Sequence, residues 1–389
     1  MLKIPEKIEY VINTLLKNWY EAYIVGGCVR DMLLGKTPFD FDVTTSATPE
    51  EVMNLFEKTV PTGIKHGTVT VIIEKEPIEV TTFRSESEYN DNRHPESVSF
   101  IKNIEGDLSR RDFTVNALAF NNSKGIIDCY GGIKYLENRI LRAVGEPQKR
   151  FSEDALRILR LFRFASTLEF TCEEETLNWA LRLSHNLENI SRERIFTELK
   201  KSVSGKNFKI FEHLINANGL EFLGINQIPD FEVVKKCRHN PNLALFAFLY
   251  LCKSDVLKVL NELKTSNNIK KYCETLLKLL DLPYPETKAE LKNLLCISSY
   301  EILNDYLDFK NFAFGVNTEI QKTLLEEIIT QKEPYLISHL EINGEILKNL
   351  GITGKRSGNI LKLLQKEVIL NPKNNTKEKL MEYIKENFL

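Results

Sequence analysis

The sequence has no long hydrophobic run: none of its apolar stretches, in 389 residues, approaches the roughly 18 residues that a membrane-spanning helix needs. Its seven cysteines are scattered, odd in number and without a CxxC pair, so neither a disulfide scaffold nor a zinc ribbon is expected. The first twenty residues mix acidic with apolar side chains, unlike a signal peptide. We therefore expect a cytoplasmic globular protein that binds no membrane.

An excess of one charge is also lacking, because 52 basic residues stand against 54 acidic ones and the net charge is −2. This balance excludes a uniformly basic nucleic-acid coat protein but allows a local basic groove. The charge is uneven, with a net of −6 over residues 1–100 and +5 over residues 346–389. Eight of the eleven basic residues between 140 and 205 are arginines, which suit bidentate contacts with phosphates and base edges.

Strand-like and helix-like stretches alternate over the first 140 residues. Residues 69–73 and 78–83 are rich in β-branched side chains and predict a hairpin, and Thr48 with Glu51 predicts a capping box that opens a helix. Residues 111–120 are predicted to be helical. Beyond residue 140, leucine-rich stretches of helical period dominate. The predicted fold is an α+β head followed by an all-helical remainder.

The head contains Gly26-Gly27-Cys28-Val29-Arg30-Asp31, followed by Asp40-Phe41-Asp42. Asp40 and Asp42 are predicted to lie on one strand, where alternate side chains share a face and could hold a pair of Mg²⁺ ions. The Gly-Gly turn opens a predicted helix whose backbone N–H groups could bind triphosphate oxygens. A solvent-exposed strand beside an ordinary turn is the other interpretation, and the ordered combination of motifs favours the first.

Two further head positions carry candidate groups. Glu79 lies on a second predicted strand, either as a third carboxylate of the metal site or as a plain surface residue. Arg110 and Arg111 are predicted to begin a helix, where the helix dipole disfavours cations. An anionic ligand at Arg111, such as a triphosphate, would offset that cost. The alternative is a surface cluster of arginine and aspartate.

The segment Glu153-Asp154-Ala155-Leu156-Arg157 continues to Ala165 with charged side chains every three residues. On the predicted helix, Asp154, Arg157, Arg160 and Arg163 follow one another at about one turn each. A carboxylate that accepts and a guanidinium that donates match the amino group and ring nitrogen of adenine and of cytosine. Guanine and uracil present the donor and the acceptor in the reverse order, so burying either base against this pair would cost several kcal/mol. An ordinary salt-bridged helix is the alternative.

GGCVRDMLLG, DFD, IEVTTFR, DNRHP, RRDFTVNA and EDALRILRLFRFA stand in the order and spacing of a known family. The sequence resembles the bacterial class II tRNA nucleotidyltransferases, which include CCA-adding enzymes and poly(A) polymerases. The resemblance is dense over residues 20–200. It implies a polymerase-β-like nucleotidyltransferase head with a small mixed or antiparallel sheet, followed by an elongated, all-helical neck, body and tail.

The resemblance also implies roles for individual residues. Asp40 and Asp42 match the Mg²⁺ carboxylates, and Asp154 with Arg157 matches the pair that reads the base. The other residues that match nucleotide contacts are Gly27, Arg30, Arg111, Arg160 and Arg163. The segment Asp91–Pro95 matches a loop linked to the change from C to A addition, and 191–195 matches a motif that braces the neck helix.

The resemblance implies the domains as well: a catalytic head at 1–140, a base-selecting neck at 141–200, a helical body at 201–310 and a tRNA-binding tail at 311–389. Its partners would be the acceptor arm and 3′ end of tRNA, with ATP and CTP as substrates and no DNA. The chain would be a monomer or a homodimer. Three functions are considered: CCA addition, addition of A alone, and RNA binding without catalysis. The DNRHP segment and the short tail favour the first, and the intact carboxylates argue against the third.

Overall fold

A computed structural model describes residues 2–86 and 98–388 of the chain. The segment Asp91–Pro95 lies outside the described residues. The chain forms two compact units, of which the first comprises residues 1–231 with the short segments 251–254 and 262–264. The second comprises residues 232–250, 255–261 and 265–389.

Within the described part of the first unit, seven strands form one mixed sheet in the order β3-β4-β5-β2-β1-β8-β9. Strands β2 and β5 run parallel, and the other neighbouring pairs are antiparallel. Two further two-stranded pairs, β6–β7 and β10–β11, lie outside this sheet. The strands are β1 (Ala22–Val25), β2 (Val43–Thr45), β3 (Thr59–Gly63), β4 (Thr68–Ile73), β5 (Glu76–Thr82), β6 (Arg84–Glu86), β7 (Val98–Phe100), β8 (Leu118–Asn121), β9 (Gly125–Asp128), β10 (Ile140–Leu141) and β11 (Thr171–Cys172).

Helices of the first unit fill the connections between these strands and then dominate after residue 140. The predicted α+β head and the helical remainder are confirmed. The helices up to residue 216 are α1 (Glu6–Lys17), α2 (Gly27–Leu33), α3 (Pro49–Leu55), α4 (Ile104–Ser109), α5 (Gly132–Glu137), α6 (Pro147–Glu153), α7 (Leu156–Leu168), α8 (Glu174–Arg182), α9 (Arg192–Val203) and α10 (Phe211–Asn216).

The two faces of the main sheet belong to different cores because successive side chains of a strand point to opposite faces. On one face Ile24, Val43 and Val80 pack with side chains of α1 and α3. On the other face Tyr23 and Val25 pack with α4 and Ala117. The central strands are thus buried on both faces, which fixes the register of β2 against β5.

Two of the local predictions are confirmed. Strands β4 and β5 form an antiparallel hairpin, and its turn places Glu74 and Lys75 at positive φ. Helix α3 begins at a complete capping box, in which the Thr48 hydroxyl accepts from Glu51 N–H and the Glu51 carboxylate accepts from Thr48 N–H. The hairpin turn and the capping box each depend on contacts among a few adjacent residues, so short sequence patterns identify them.

The predicted helix at 111–120 is wrong. Helix α4 ends before Arg110, a single 3₁₀ turn spans Thr114–Asn116, and Leu118 begins β8 between β1 and β9. Residues 118–120 are buried and pair with both neighbouring strands, so tertiary pairing overrides the local helical preference. Arg110 and Arg111 therefore follow a helix C-terminus, where the helix dipole favours cations. The electrostatic argument for an anion at Arg111 falls with this correction.

From residue 231 the described chain is helical. In the second unit a small core of Ile342, Leu347, Ile360, Leu364 and Ile384 holds the carboxyl-terminal helices together. None of the described helices is both long and apolar enough to cross a bilayer. The helices are α11 (Phe231–Lys236), α12 (Pro241–Leu251), α13 (Val256–Glu262), α14 (Asn267–Asp281), α15 (Lys288–Leu295), α16 (Tyr300–Phe314), α17 (Glu319–Thr330), α18 (Gly344–Asn349), α19 (Gly354–Leu370) and α20 (Lys377–Phe388).

A close approach between α7 and the end of α9 requires a glycine at position 205. A Cβ there would stand 2.7 Å from the carbonyl carbon of Ser166, which real contacts do not allow. We expect Gly205→Ala to lower the free energy of unfolding by about 1–3 kcal/mol, as overpacking does. Thermal denaturation would measure it. Gly358→Ala is the control, because its Cβ would meet nothing within 4 Å on α19; equal losses in the two variants would contradict the prediction.

Candidate active site

The Gly-Gly turn stands where β1 gives way to α2. Gly26 has φ +80°, a left-handed conformation that favours glycine, and its N–H donates to Leu118 O at 3.0 Å. A Cβ at Gly26 would lie 3.0 Å from Nη1 of Arg111. Only a residue without a side chain therefore leaves room for the guanidinium against this turn, and Gly27 then begins α2.

Asp40 and Asp42 lie just before β2 rather than on it, because the strand begins at Val43. The prediction that both aspartates lie on a strand is therefore wrong. The Asp42 carbonyl still accepts from Val25 N–H of β1 at 3.0 Å. Glu79 lies on β5, where Val80 is the parallel partner of Val43. This register places Glu79 beside Asp42. All three carboxylates line one cavity of about 520 Å³.

The carboxylates repel one another in this arrangement. Asp42 is open to water on one side, yet partial burial and then the charge of Asp40 raise its pKa, with Glu79 adding to the shift and Arg111 opposing it. A cation among these oxygens would relieve that repulsion. The oxygen-only ligand set is the kind that a hard divalent ion prefers, so the residues fit the metal site that the motif predicts.

Arg111 is held in place by an ion pair with the buried carboxylate of Asp107. Asp107 is fully buried, and its two oxygens accept from Arg110 and Arg111 at 2.9 and 3.1 Å. Burial alone would raise the pKa of Asp107, but the two guanidinium groups hold it below the ordinary value. Nε of Arg111 is buried and has no hydrogen-bond partner among the described residues. The guanidinium therefore keeps a donor beyond its pairing with Asp107.

The sequence predicts that Asp154 lies on the arginine-bearing helix, and this prediction is wrong. Asp154 lies between α6 and α7. Its φ of −142° and ψ of 102° interrupt the helical backbone, and its Oδ1 accepts from Leu156 N–H at 3.1 Å. Oδ2 accepts from Arg194 of α9 at 2.7 Å, while Oδ1 lies 3.4 Å from the second Arg194 amine. The Asp154 carboxylate thus satisfies the N–H of Leu156, the first residue of α7, from a position outside the helix.

Arg157 lies on the first turn of α7 and is only 8% exposed. Its Nη1 donates to Glu153 at 2.8 Å and its Nη2 to the Arg110 carbonyl at 2.9 Å. The side chain thus spans from the helix to the segment that carries Arg111. Asp154 and Arg157 are neighbours in sequence, and different parts of the structure hold them.

Arg160 and Arg163 have internal acidic partners. Arg160 donates to Asp112 at 2.8 Å, and Arg163 donates to Glu198 of α9. Burial alone would raise the pKa of Asp112, but Arg160 and then Asn116 stabilise the carboxylate and lower its pKa to about 2. Roles for Arg160 and Arg163 in nucleotide binding stay predictions, since the structure gives both of them partners within the protein.

Phe164 connects the two groups of candidate residues. The guanidinium carbons of Arg30, Arg160 and Arg163 lie 5.2, 5.3 and 3.7 Å from the centre of its ring. Arg30 is 8% exposed and also donates to Asn116 at 2.6 Å. Arg30 therefore packs between the head and α7, whereas its sequence-predicted role is a nucleotide contact.

The structure thus gathers the predicted residues into two groups. The carboxylate group holds Asp40, Asp42 and Glu79, with the Gly26-Gly27 turn and Arg111 next to it, and the base-reading group holds the candidates on and before α7. Sequence reasoning assigned no role to the buried partners Asp107, Asp112, Glu153, Asn116, Phe164 and Glu198. The spacings of Glu153 with Arg157 and of Asp107 with Arg111, four residues in each case, are local signals that could have indicated partners.

Another cluster in the described chain could hold a metal ion, and the sequence spacing of its histidine gives no indication of it. His239, Asp305 and Asp308 bring ligand atoms within 4.8 Å of one another. Both carboxylates already have donors within the protein, since Tyr272 donates to Asp305 at 2.7 Å and the Lys322 ammonium lies 2.5 Å from Asp308. The cluster is therefore accounted for as an ion-pair network.

The pairing of Asp112 with Arg160 makes a prediction for acid stability. A carboxyl whose pKa is about 2 in the folded state and near 4 when unfolded stabilises the protein above pH 4, and the contribution disappears as the pH falls towards 2. The shift corresponds to about 2–3 kcal/mol. We expect Asp112→Asn to lower stability at pH 7 and to flatten the loss between pH 4 and 2, measured by urea denaturation. Asp281→Asn, at an exposed position, is the control; a wild-type slope in the Asp112 variant would contradict the prediction.

Three family models match the chain. The poly A polymerase head domain matches residues 22–142, and the tRNA nucleotidyltransferase domain 2 matches residues 239–384. Between them, residues 169–224 match a model described as "Probable RNA and SrmB-binding site of polymerase A". These matches cover the head and most of the helical part.

Two relatives and one solved structure that match this chain are CCA-adding enzymes. The CCA-adding enzyme of Staphylococcus haemolyticus is 35% identical over 97% of this chain and 96% of its own. That of Bacillus cytotoxicus is 45% identical over 59% of this chain and 58% of its own. The structure of the Bacillus stearothermophilus CCA-adding enzyme in complex with CTP matches with a TM-score of 0.81 and 29% identity, covering 99% and 98% of the two chains. The predicted family, fold class and enzyme class are confirmed: the chain belongs to the CCA-adding enzymes, a family of metal-dependent tRNA nucleotidyltransferases.

Proposed function

We propose that this protein adds C, C and A, one nucleotide at a time and without a nucleic-acid template, to the 3′ end of tRNA. CTP and ATP are the substrates, and pyrophosphate is released. The observation that carries the proposal is that one compact unit holds both a three-carboxylate site and, on and just before α7, the candidate base-reading residues Asp154 and Arg157. The first group suits phosphoryl chemistry, and the second suits recognition of a base edge.

Asp40 and Asp42 are proposed to hold Mg²⁺, with Glu79 as the third carboxylate. The ion would lower the pKa of the attacking hydroxyl and neutralise charge on the leaving pyrophosphate. The raised pKa of Asp42 supports this assignment, because burial and the neighbouring carboxylates disfavour its charged form and a bound cation would favour it. Magnesium is favoured over softer ions since every candidate ligand is a carboxylate oxygen.

The triphosphate is proposed to lie against the Gly26-Gly27 turn. Arg111 reaches this turn and has a buried Nε donor without a partner among the described residues, so it can donate to a phosphate oxygen. Gly27 allows close approach because it adds no side chain beyond its backbone. In this position the α-phosphorus would stand next to the carboxylates, where the tRNA 3′-hydroxyl attacks in line with the departing pyrophosphate.

Asp154 and Arg157 are proposed to select the base. An ionised carboxylate only accepts hydrogen bonds and a guanidinium only donates them. Together they match the amino group and the adjacent ring nitrogen of both cytosine and adenine. Uracil and guanine would present a carbonyl to the carboxylate and an N–H to the guanidinium, which leaves both faces of the contact unsatisfied.

The direct test supplies tRNA that lacks its terminal CCA with CTP alone, with ATP alone, or with both. We expect an extension of two nucleotides with CTP and of three with both, read as product lengths on a gel. Extension only of tRNA that already ends in CC, and only with ATP, would identify an enzyme that adds A alone. Absence of any extension with either nucleotide would overturn the proposal.

The carboxylate assignment makes its own prediction. Asp42→Ala should lower the rate of nucleotide addition by at least about a thousandfold, because charge stabilisation in the transition state is lost, while tRNA binding stays within about twofold. Glu76→Gln is the matched control, since Glu76 lines the same cavity but pairs with Lys7. A wild-type rate in Asp42→Ala would remove this residue from the metal site.

Binding of tRNA is proposed to lie in the carboxyl-terminal part, where residues 346–389 carry a net charge of +5. Lys355 and Arg356 are exposed on the first turn of α19. Reversing both charges should weaken tRNA binding by about tenfold or more and reduce its salt dependence, because fewer counterions are released. Filter binding at several salt concentrations measures both quantities. The same reversal at Lys235 and Lys236 of α11 is the control, and equal effects would place the tRNA contact elsewhere.

The domain boundaries, the location and the oligomeric state stay predictions. We propose the division into head (1–140), neck (141–200), body (201–310) and tail (311–389) on the family resemblance. The cytoplasmic location and the monomeric or homodimeric state stay predictions. Size-exclusion chromatography with light scattering would decide the latter.

A further inference from the structure

We infer that Arg194 is a positioning residue for base selection: it holds the Asp154 carboxylate in the orientation that accepts from the amino group of cytosine or adenine. The inference rests on the proposed function, because Asp154 must contact the base. Its observation is independent, since the guanidinium of Arg194 reaches both carboxylate oxygens, at 2.7 and 3.4 Å.

Asp154 needs such support because its backbone does not provide it. The residue interrupts the helical run between α6 and α7, where φ and ψ are extended. The Leu156 N–H, which donates to Oδ1 at 3.1 Å, fixes one oxygen and leaves the carboxylate plane free to turn about that contact. A planar guanidinium with two parallel donors removes this freedom, which a single donor cannot do.

Arg194 is itself held on a firm base. It lies on the first turn of α9, where the guanidinium of Arg192 stands 4.6 Å from the centre of the Phe222 ring. Glu193 pairs with Lys264 at 3.0 Å. Further along, the close contact at Gly205 and the bond from Ser166 Oγ to Ser202 O join α9 to α7. The position of α9 therefore determines where the Arg194 guanidinium holds Asp154.

The contact leaves Asp154 able to bind a base. A carboxylate oxygen accepts about two hydrogen bonds, and among the described residues Oδ2 accepts from Arg194 alone. One lone pair of Oδ2 therefore remains for an exocyclic amine. Arg194 thus contributes the orientation of the carboxylate on which discrimination depends.

The test compares kcat/KM for CTP and for UTP in single-nucleotide addition by the full chain. Arg194→Ala should lower the CTP-to-UTP ratio by about tenfold, equivalent to about 1.4 kcal/mol, mainly through faster use of UTP. Arg194→Lys should lower it less, because a lysine restores the charge but not the paired donors. Arg182→Ala is the control and should keep the wild-type ratio, because the Arg182 guanidinium lies over Trp179 of its own helix α8.

A double-mutant cycle with Asp154→Ala separates the possible failures. If Arg194 acts through Asp154, removing Arg194 has no further effect on the ratio once Asp154 is gone. A lowered ratio in Asp154→Ala together with a wild-type ratio in Arg194→Ala would overturn the inference and leave the proposed function standing. A wild-type ratio in Asp154→Ala would overturn base reading by this residue itself. Should Arg194→Ala fail to fold, an unchanged ratio in Arg194→Lys and in Arg194→Gln would overturn the inference equally.

Discussion

The ion pair between Arg160 and Asp112 is the contact on which the catalytic unit depends. Asp112 is buried and Arg160 is 34% exposed, and a buried carboxylate is tolerated only when it is paired and hydrogen-bonded. The pair ties α7 to the segment that follows Arg111. Arg157 adds a bond to the Arg110 carbonyl, and Arg30 packs on Phe164 from the other side. The proposed base-reading group and the proposed metal-binding carboxylate group are thereby fixed to one another.

The carboxylate site follows a different rule from the rest of the unit. Elsewhere a buried acid has a guanidinium or an amide next to it, as Asp107, Asp112 and Glu198 do. Asp42 instead has two other acids nearby, and its pKa is raised. Without a cation this arrangement destabilises the folded protein at neutral pH, because the charged form is disfavoured in the native state. Such a local penalty is expected where function, not stability, places the residues.

The sequence predicted those features that local chemistry determines. The Gly26 turn, the hairpin of β4 and β5 and the capping box at Thr48 each depend on a few adjacent residues, and all three are present. The location of the strand at residue 118 was mispredicted, because pairing with β1 and β9 decides it.

For the candidate site the same division holds. Sequence order brought out the carboxylates and the arginines, but several of their partners are distant in sequence, 35 residues for Glu198 with Arg163 and 86 residues for Asn116 with Arg30. The position of Asp154 outside the helix was also missed, since the periodicity of the sequence continues through a residue that follows the end of α6 and precedes the start of α7. Only three-dimensional contacts distinguish these cases.

The arginine-rich segment also acquires a different meaning from the one its composition suggests. Of the eight arginines between 140 and 205, six pair with acidic side chains: Arg142, Arg150, Arg157, Arg160, Arg163 and Arg194. The other two, Arg182 and Arg192, lie over Trp179 and Phe222. Their charges are therefore compensated or covered within the protein and contribute little long-range attraction for phosphates. The segment is therefore better suited to the proposed nucleotide selection through fixed geometry, and the proposed attraction for tRNA falls to the positive carboxyl-terminal part of the chain.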